Sequence, residues 1–385
     1  MVDAKGTGAM IRRVAYVVRT FPRLSQTFIV QEIDWLLSAG FECQVFCLNR
    51  SDERVQQTLA RSPRILQRLH RLDHAGQAVL EHFTPDVIHA HFATEAAATA
   101  LELGQRHRIP VTFTAHGYDI YRDPPSDFAQ RAERAAFVVT VSEANRRHLV
   151  ERLGVRSEKI KLVPNGVDTR FFSPDPLQPK PELSHIVCIA RLEPVKQLHV
   201  LLAALAFLKT EGIPFRCTIV GDGACREALL TLRHDLGLSD HVTFAGGLQR
   251  EGVREHLRSA HVAVLSSQSE GYPVSLLEAA SIGIPAVAPA VGGIPEIIVD
   301  GETGFIAEPA DPYALGMAMQ RICTDHRLAA AMGAAARQQA LRHFSADRQM
   351  SLLLSVWEEA RRPYVSGGQG PICGPVQLRE EEGTG

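Results

Sequence analysis

The sequence predicts an α/β fold in which two parallel-sheet domains face a cleft. Short apolar strands alternate with helices, and this alternation occurs twice along the chain. A proline-rich stretch without clear periodicity separates the two series. With 385 residues, the chain is also longer than one ordinary core accommodates. We therefore expect two Rossmann-like units.

Each series can be read as strands with helices between them. The first series contains the predicted strands RVAYVV, CQVFCL, DVIHAHF, VTFTAH, AAFVVTVS and KIKLVP, with helices over residues 28–39, 95–106 and 143–153. The second contains HIVCIA, FRCTIVG, HVTFAG, AHVAVLSS and PAVAP, and helices over residues 327–343 and 347–361 follow it. In each unit the carboxyl ends of the strands should share one edge, where such folds bind their ligands.

Domain boundaries follow from these patterns and from composition. The final segment is rich in Gly, Pro and Glu and is predicted to be disordered. The helix before it is expected to cross back to the first domain. The predicted units are an N-terminal tail (1–12), a first domain (13–166), a linker (167–184), a second domain (185–345), a C-terminal helix (346–362) and a C-terminal tail (363–385).

Composition argues against several classes of protein. A formal net charge of −2 is unlike that of a dedicated nucleic-acid binder, so no nucleic-acid partner is expected. Seven scattered cysteines predict buried thiols rather than a disulfide framework. The N-terminus lacks the apolar core of a signal peptide, and no apolar run approaches the roughly 20 residues that span a bilayer. A cytoplasmic location is expected.

The first strand-to-helix turn, within VVRTFPRLSQTF, contains no glycine. A dinucleotide-binding domain carries G-x-G-x-x-G at this turn. Ser25, Gln26 and Thr27 can instead offer side-chain hydrogen bonds to hydroxyl groups, and Ser25 can equally cap the following helix. The later VGDG, residues 220–223, lacks the third glycine of the fingerprint. A dinucleotide-binding oxidoreductase is therefore a weaker alternative function.

The stretch SSQSEGYPVSLLEAASIGIPAV, residues 266–287, predicts a strand, a turn at Gly271 and a helix that begins near Val274. Free backbone N–H groups and the positive end of the helix dipole would form a site for a diphosphate. Glu270 precedes the turn and Glu278 lies on the helix, so the two carboxylates could contact opposite ends of one ligand. The alternative is an ordinary helix start with two surface glutamates.

Two further strand ends carry polar side chains. Arg191 and Lys196 lie in IARLEPVKQL, and two cations beside a helix N-terminus suit a departing pyrophosphate. Solvated loop charges are the alternative interpretation. His116 follows the strand VTFTA, and Gly117 would let the backbone turn sharply toward a ligand. A lone histidine is more often structural, so spacing alone gives His116 no role.

Together these stretches resemble the family-4 glycosyltransferases, which are retaining nucleotide-sugar enzymes of the GT-B fold. The resemblance covers most of residues 13–345, and FPRLSQTF with HAHFAT resembles the branch that builds bacterial exopolysaccharides such as colanic acid. The matching motifs are HGYD (116–119), VPNGVD (163–168), ARLEPVK (190–196), VGDG (220–223), EGYPVSLLEA (270–279), GGIPEII (292–298) and DGETGFI (300–306).

The resemblance implies that the second domain binds the nucleotide-sugar and the first faces the acceptor. The implied catalytic residues are His116, Glu270, Arg191 and Lys196. The implied donor-binding residues are Arg191, Lys196, Gly271, Val274, Ser275, Leu276 and Glu278, of which the first two grip the diphosphate and the last accepts hydrogen bonds from the ribose. Ser25, Gln26, Thr27 and His91 are expected on the acceptor side. The family's glycine before Arg191 is Ala190 here, which could crowd the phosphate loop.

The implied reaction is retaining transfer of a sugar from a UDP- or GDP-sugar to a glycan, lipid-linked or small-molecule hydroxyl acceptor. It would serve exopolysaccharide, cell-surface glycan or glycoconjugate synthesis. No D-x-D pair follows a strand, so no metal or other cofactor is expected, and the nucleotide-sugar is a co-substrate. A UDP-sugar epimerase of the same fold is the first alternative, and a scaffold that only binds a partner is another.

Two remaining features have competing interpretations. His89 and His91 face the same side of one strand, but no third metal ligand has convincing spacing, so packing is expected for His89 and cleft lining for His91. Residues 60–74 predict an amphipathic helix with Arg61, Arg64 and Arg68 on its basic face, together with Arg71. Such a helix could contact the inner membrane peripherally, or it could be an ordinary surface helix.

Overall fold

We describe a computed structural model of the chain over residues 10–23, 26–51, 63–177 and 180–365. The described part contains two parallel sheets, which confirms the predicted α/β fold with two Rossmann-like domains. The first sheet has the strand order β3-β2-β1-β4-β5-β6-β7. Its strands are β1 Arg13–Phe21, β2 Glu42–Arg50, β3 Leu69–Arg71, β4 Val87–His91, β5 Val111–Ala115, β6 Phe137–Thr140 and β7 Ile160–Leu162.

The second sheet has the strand order β10-β9-β8-β11-β12-β13. Both sheets therefore have the doubly wound topology, in which the direction of strand progression reverses once. The reversals lie between β1 and β4 and between β8 and β11. The strands are β8 Ser184–Ile189, β9 Phe215–Val220, β10 Val242–Gly246, β11 Val262–Val264, β12 Ala286–Pro289 and β13 Gly304–Ala307.

Helices cover both faces of each sheet, as connections between parallel strands require. Those of the first domain are α1 Thr27–Ser38, α2 Pro63–Leu66, α3 His74–Phe83, α4 Glu95–His107, α5 Phe128–Arg134 and α6 Glu143–Glu151. Those that follow are α7 Leu198–Thr210, α8 Arg226–Asp235, α9 Arg250–Ser259, α10 Val274–Ile282, α11 Pro312–Thr324, α12 His326–His343 and α13 Ala346–Val365. No helix in the described ranges is both long enough and apolar enough to cross a membrane.

The C-terminal helix α13 returns to the first domain, as predicted. Met350, Leu353 and Trp357 are buried in the core formed by β1, β2 and α1. An ion pair between Arg361 and Asp86, 2.8 Å apart, connects the same helix to the start of β4. The preceding connection also packs in an ordered way, because Val167 and Phe172 of the expected linker are buried in the second-domain core.

The basic amphipathic helix predicted over residues 60–74 is wrong. Arg61 lies outside the described residues, and helix α2 ends at Leu66. The following residues Leu69–Arg71 form β3, which pairs in parallel with β2. Because strand pairing alternates side chains between two faces, Arg64, Arg68 and Arg71 do not share a helical face. The membrane contact suggested for this segment loses the feature on which it depended.

We predict that Trp357→Ala lowers the free energy of unfolding of the first domain by about 3–5 kcal/mol, because a large buried ring is removed from a packed core. Trp357 is fully buried, and its ring centroid lies 5.3 Å from that of His89. Urea unfolding followed by circular dichroism measures the effect. Trp357→Phe is the control and should lose less, because a ring remains. A loss below about 1 kcal/mol for the alanine variant would contradict this account of the helix.

Candidate functional site

The predicted donor-binding residues follow the two strands that flank the reversal in the second sheet. Arg191 and Lys196 come after β8, and Glu270 comes after β11. Neighbouring strands diverge into opposite connections at this point, which leaves a crevice at the carboxyl edge of the sheet. The topology therefore brings together residues that are about 75 positions apart in the sequence.

Lys196 and Glu270 form a close ion pair in this crevice. Lys196 Nζ lies 2.6 Å from Glu270 Oε1, and the hydroxyl of Ser267 donates to the same oxygen at 2.6 Å. The two charged side chains are largely buried, with 16% and 8% of their surfaces exposed. A lysine ammonium has three donors, so Lys196 can keep this contact and still donate to an anionic ligand.

Helix α10 begins beside this ion pair, as predicted. Its N-cap residue is Pro273, and no side-chain hydrogen bond caps the helix within the described structure. The N–H of Leu276 donates to the carbonyl of Pro273 at 3.1 Å, so this predicted phosphate donor already has a partner. The first-turn N–H groups of Val274 and Ser275 remain for an anion, with the positive end of the helix dipole behind them.

The Arg191 loop lies directly against the VGDG loop. A Cβ on Gly221 would lie only 1.9 Å from the carbonyl oxygen of Ala190, and Gly221 has a φ of +144°. Only glycine fits this position, so loop packing alone accounts for Gly221 and no bound dinucleotide is needed to explain it. The N–H of Leu192 also donates to the carbonyl of Asp222 at 3.0 Å. The exposed Arg191 is thus held on a fixed backbone.

Glu278 is the fifth residue of α10, eight positions after Glu270 in the sequence. Burial raises the pKa of Glu278 to about 8, and the charge of Arg250 opposes this rise. Arg250 itself stacks on Phe171 with its guanidinium carbon 3.9 Å from the ring centre. A carboxyl in this state gains hydrogen-bond donors when a ligand supplies hydroxyl groups.

Loops of the two domains touch at a pair of glycines. A Cβ on Gly117 would lie 3.4 Å from the backbone nitrogen of Gly271, and the reverse substitution gives the same distance to Gly117. Gly293 of the GGIPE motif packs beneath, since a Cβ there would lie 2.2 Å from the carbonyl oxygen of Gly271. His116 and Glu270, which precede the two contacting glycines, therefore face the same cleft between the sheets.

His116 lies among aromatic rings of the first domain. Its ring centroid is 4.7 Å from that of Phe28 and 4.5 Å from that of Phe92. Burial lowers the pKa of His116 well below its ordinary value, so the ring is neutral at physiological pH. Its backbone N–H donates to Asp119 at 2.8 Å, which fixes the start of the HGYD turn.

The cleft-lining role predicted for His91 needs correction. Its side chain is fully buried, and its Nδ1 lies 3.2 Å from His116 Nε2. His91 therefore lies behind His116 and reaches the cleft only through that ring. The packing role predicted for His89 fits the structure, because its two ring nitrogens lie 2.8 and 3.0 Å from the hydroxyls of Thr112 and Thr114.

The first strand-to-helix turn is only partly described. Ser25 lies outside the described residues, so neither of its two predicted roles can be placed. Gln26 is buried, and its Oε1 has no hydrogen-bond partner among the described residues. Thr27 is exposed at the first position of α1. An unpaired amide oxygen is suited to accept a hydrogen bond from a hydroxyl group.

Sequence reasoning missed Glu32, whose carboxyl oxygens contact Tyr16, His91 and Gln349. It lies on the same face of α1 as Ile29, Ile33 and Leu36, all of which are buried. A carboxylate within an apolar helical stripe is the signal that could have identified it, because such a group needs buried partners.

Two other missed residues connect the domains or the loops. The carboxylate of Glu296 accepts from the N–H groups of Glu143 and Ala144 at 3.0 and 3.1 Å, so the second domain caps helix α6 of the first. Asp119 accepts from the N–H groups of Ala93 and His116, and burial raises its pKa to about 7. Both contacts join distant segments, which spacing in the sequence does not reveal.

One group of side chains in the described ranges is close enough together to hold a metal ion. It consists of Glu32, His89 and His91, and one potential ligand atom of each lies within 4.8 Å of the others. Glu32 is the third ligand that sequence spacing did not supply. However, Glu32 Oε2 and His91 Nε2 already contact each other at 3.1 Å, and the nitrogens of His89 have threonine partners. The group is therefore satisfied as a hydrogen-bond network.

Comparison with known proteins identifies relatives of both domains. Residues 25–171 match the family model described as Glycosyltransferase Family 4, and residues 170–339 match Glycosyl transferases group 1. WcaL of Escherichia coli (strain K12), whose name describes a colanic acid biosynthesis glycosyltransferase, is 28% identical over 79% of this chain and 88% of its own. The GDP-mannose-dependent alpha-(1-6)-phosphatidylinositol monomannoside mannosyltransferase of Mycobacterium tuberculosis (strain H37Rv) is 32% identical over 63% and 69%.

Solved structures agree with the fold. A glycosyltransferase from Rickettsia africae superposes with a TM-score of 0.79 at 18% identity, and the match covers 92% of this chain and 100% of that one. Anabaena HepE, crystallised with UDP and glucose, gives a TM-score of 0.76 at 18% identity over 89% and 98% of the two chains. At 18% identity these neighbours confirm the predicted fold, with two Rossmann-like domains that face a cleft.

We predict that Glu278→Gln stabilises the protein increasingly as the pH rises from about 5 to 9. The carboxyl has a pKa of about 8 when folded, whereas its ordinary value is near 4.3. The folded state therefore binds the proton more tightly, so its stability falls as the pH rises toward 8. Thermal unfolding of both proteins across this range measures the difference, and Glu302→Gln, which removes an exposed carboxylate, controls for the loss of one charge. A difference that shrinks with pH would contradict the assignment.

Proposed function

The chain belongs to the family-4 glycosyltransferases, and from this membership we propose that it is a retaining, metal-independent hexosyltransferase. It would move a sugar from a UDP- or GDP-sugar to a hydroxyl acceptor. The observation that carries the proposal is the Lys196–Glu270 pair, 2.6 Å apart beside the uncapped start of α10. The likeness to WcaL supports a product in exopolysaccharide or cell-surface glycan synthesis, with a glycan or lipid-linked acceptor.

Charge at the donor site supports binding of a nucleoside diphosphate. Lys196 and the exposed Arg191 are cations on the same loop, and the first turn of α10 presents N–H groups at the positive end of a helix dipole. A diphosphate placed between them would be neutralised from two sides. Because this charge grows as the glycosidic bond breaks, the same groups would stabilise the leaving group in the transition state.

The remaining donor residues would orient the sugar and the ribose. Glu270 is held by Lys196 and Ser267, so its second oxygen can accept hydrogen bonds from the transferred sugar. Glu278 would accept from the ribose hydroxyls, which favours its ionised form and releases a proton on binding. Gly271 would allow the sugar to approach the backbone closely, since the loop carries no side chain there.

The acceptor side would be formed by the first domain. His116 directly precedes Gly117 of the Gly117–Gly271 contact. The Oε1 of Gln26, which has no partner within the described structure, and the exposed Thr27 lie where α1 begins. Metal independence is proposed because Arg191, Lys196 and the helix dipole can together perform the electrostatic task of a divalent ion. Retention of configuration is proposed from the family motifs.

We predict that Lys196→Met lowers kcat/KM for sugar transfer by roughly 100-fold or more, because one charged donor to the leaving group is lost. Lys209→Met is the control, since Lys209 lies at the far end of α7 and its ammonium donates to the carbonyl of Gly237. Initial rates of nucleotide release with saturating acceptor measure the effect, and circular dichroism confirms folding. A folded Lys196→Met protein with nearly wild-type rates would remove Lys196 from the site.

A donor panel tests the proposed reaction itself. The protein is incubated with UDP-, GDP-, ADP- and TDP-sugars in excess EDTA, and nucleotide release, thermal shift and the anomeric proton signals of the product are followed. We expect stabilisation and turnover with a UDP- or GDP-sugar in EDTA and an unchanged anomeric configuration. Inversion would refute retention, and full dependence on added Mg²⁺ or Mn²⁺ would refute metal independence. Stabilisation by NAD alone would overturn the assignment.

A further inference from the structure

A buried chain of polar groups runs from helix α13 to His116. The N–H of Gly166 donates to Gln349 Oε1 at 2.8 Å, and Gln349 Nε2 donates to Glu32 Oε1 at 2.8 Å. Glu32 Oε2 lies 3.1 Å from His91 Nε2, and His91 Nδ1 lies 3.2 Å from His116 Nε2. Each of these side chains is less than 9% exposed. Four hydrogen bonds therefore link Gly166, at the junction between the domains, to His116 in the cleft.

The donor and acceptor of the hydrogen bonds at Gln349 can be assigned, because a backbone N–H begins the chain. A backbone N–H can only donate, so Gln349 Oε1 must accept from Gly166 and its Nε2 must face Glu32. The hydroxyl of Tyr16 donates to Glu32 Oε2 at 3.2 Å. Both oxygens of Glu32 therefore accept a hydrogen bond, as those of a carboxylate do.

This direction continues through the two histidines. A carboxylate at Glu32 places a proton on His91 Nε2, and in a singly protonated ring Nδ1 is then the acceptor. His116 Nε2 must then donate to His91 Nδ1. We infer that Glu32 is a positioning residue that, through His91, holds His116 in its Nε2–H tautomer with an unprotonated Nδ1. On the basis of the proposed function, that nitrogen then accepts a hydrogen bond from a hydroxyl of the bound sugar.

Packing alone does not explain a carboxylate at this position. Burying an ionised carboxyl is costly, and an apolar residue would match Ile29, Ile33 and Leu36 on the same face of α1. The stacking of His91 on Tyr16, with ring planes 6° apart, would also survive its loss. What an apolar residue would remove is the acceptor that fixes the proton on His91 Nε2, and with it the tautomer of His116.

Glu32→Gln tests this role with two separate readouts. Long-range ¹H–¹⁵N spectra of the histidine-labelled full chain report the tautomers, and the variants His91→Gln and His116→Gln assign the signals. We expect the Nε2–H form for His116 in the wild type. In Glu32→Gln the amide can present an N–H to His91, which reverses the chain, so the Nδ1–H form of His116 should appear. Sugar transfer should show kcat lowered about tenfold or more, with KM for the donor within about threefold.

Asp86→Asn is the matched control. Asp86 is also a mostly buried carboxylate of the first domain, it also contacts α13 through Arg361, and it accepts from the N–H groups of Arg12 and Arg13. We expect this variant to lower the melting temperature, with the His116 signals and kcat unchanged. If kcat falls equally in both variants in proportion to stability, Glu32 is merely structural and the inference is overturned.

The wild-type spectrum decides the inference even if Glu32→Gln fails to fold. An Nδ1–H tautomer or a charged ring for His116 would overturn it directly. The proposed function fails separately, if no nucleotide-sugar in the donor panel is turned over, whereas full activity of His116→Gln would refute only the role of His116 in transfer. In that case the Nε2–H tautomer would still establish the chain from Glu32, while its use in transfer would be refuted.

Discussion

The close approach of the two domains at Gly117 and Gly271 is the constraint on which the candidate site depends. A Cβ at either glycine would lie 3.4 Å from the opposing backbone nitrogen, so the two loop backbones approach to within about one methyl group of each other. Gly293 packs under the same contact, and Glu296 caps helix α6 from the other domain. These contacts bring the loop after β5 of the first sheet against the loop after β11 of the second, so two separate sheets form one cleft.

The two walls of this cleft differ in their electrostatics, and the proposed reaction needs this difference. The second-domain wall carries the cations Arg191 and Lys196 and a helix N-terminus, which suit an anionic leaving group. The first-domain wall carries the rings of Phe28 and Phe92 around His116, whose pKa is lowered by burial. A neutral imidazole can accept a hydrogen bond from an uncharged hydroxyl, whereas a cation there would compete for the diphosphate.

Most of the fold and the strand-end positions of the second-domain wall could be predicted from the sequence, because both depend on local patterns. Strand periodicity located the sheets, and EGYPVSLLEA and ARLEPVK placed Glu270, Lys196 and α10 correctly at strand ends. The first-domain wall could not be predicted equally well. His91 was expected to line the cleft but is fully buried next to His116, and the basic helix over residues 60–74 is replaced in part by β3. Pairing in a sheet and burial behind a neighbouring ring are long-range effects that spacing does not encode.

Helix α13 connects the arrangement of the domains to the chemistry of the first wall. Gln349 lies four residues after Ser345, which bridges to Val167, at the point where the chain returns from the second domain to the first. Its amide bonds to Gly166 on one side and to Glu32 on the other. Because an amide has one acceptor oxygen and one donor nitrogen, these two contacts fix each other's direction. A domain movement that displaced Gly166 from Gln349 would free this amide to rotate, and the hydrogen bonds behind His116 would then lose the donor that now defines them.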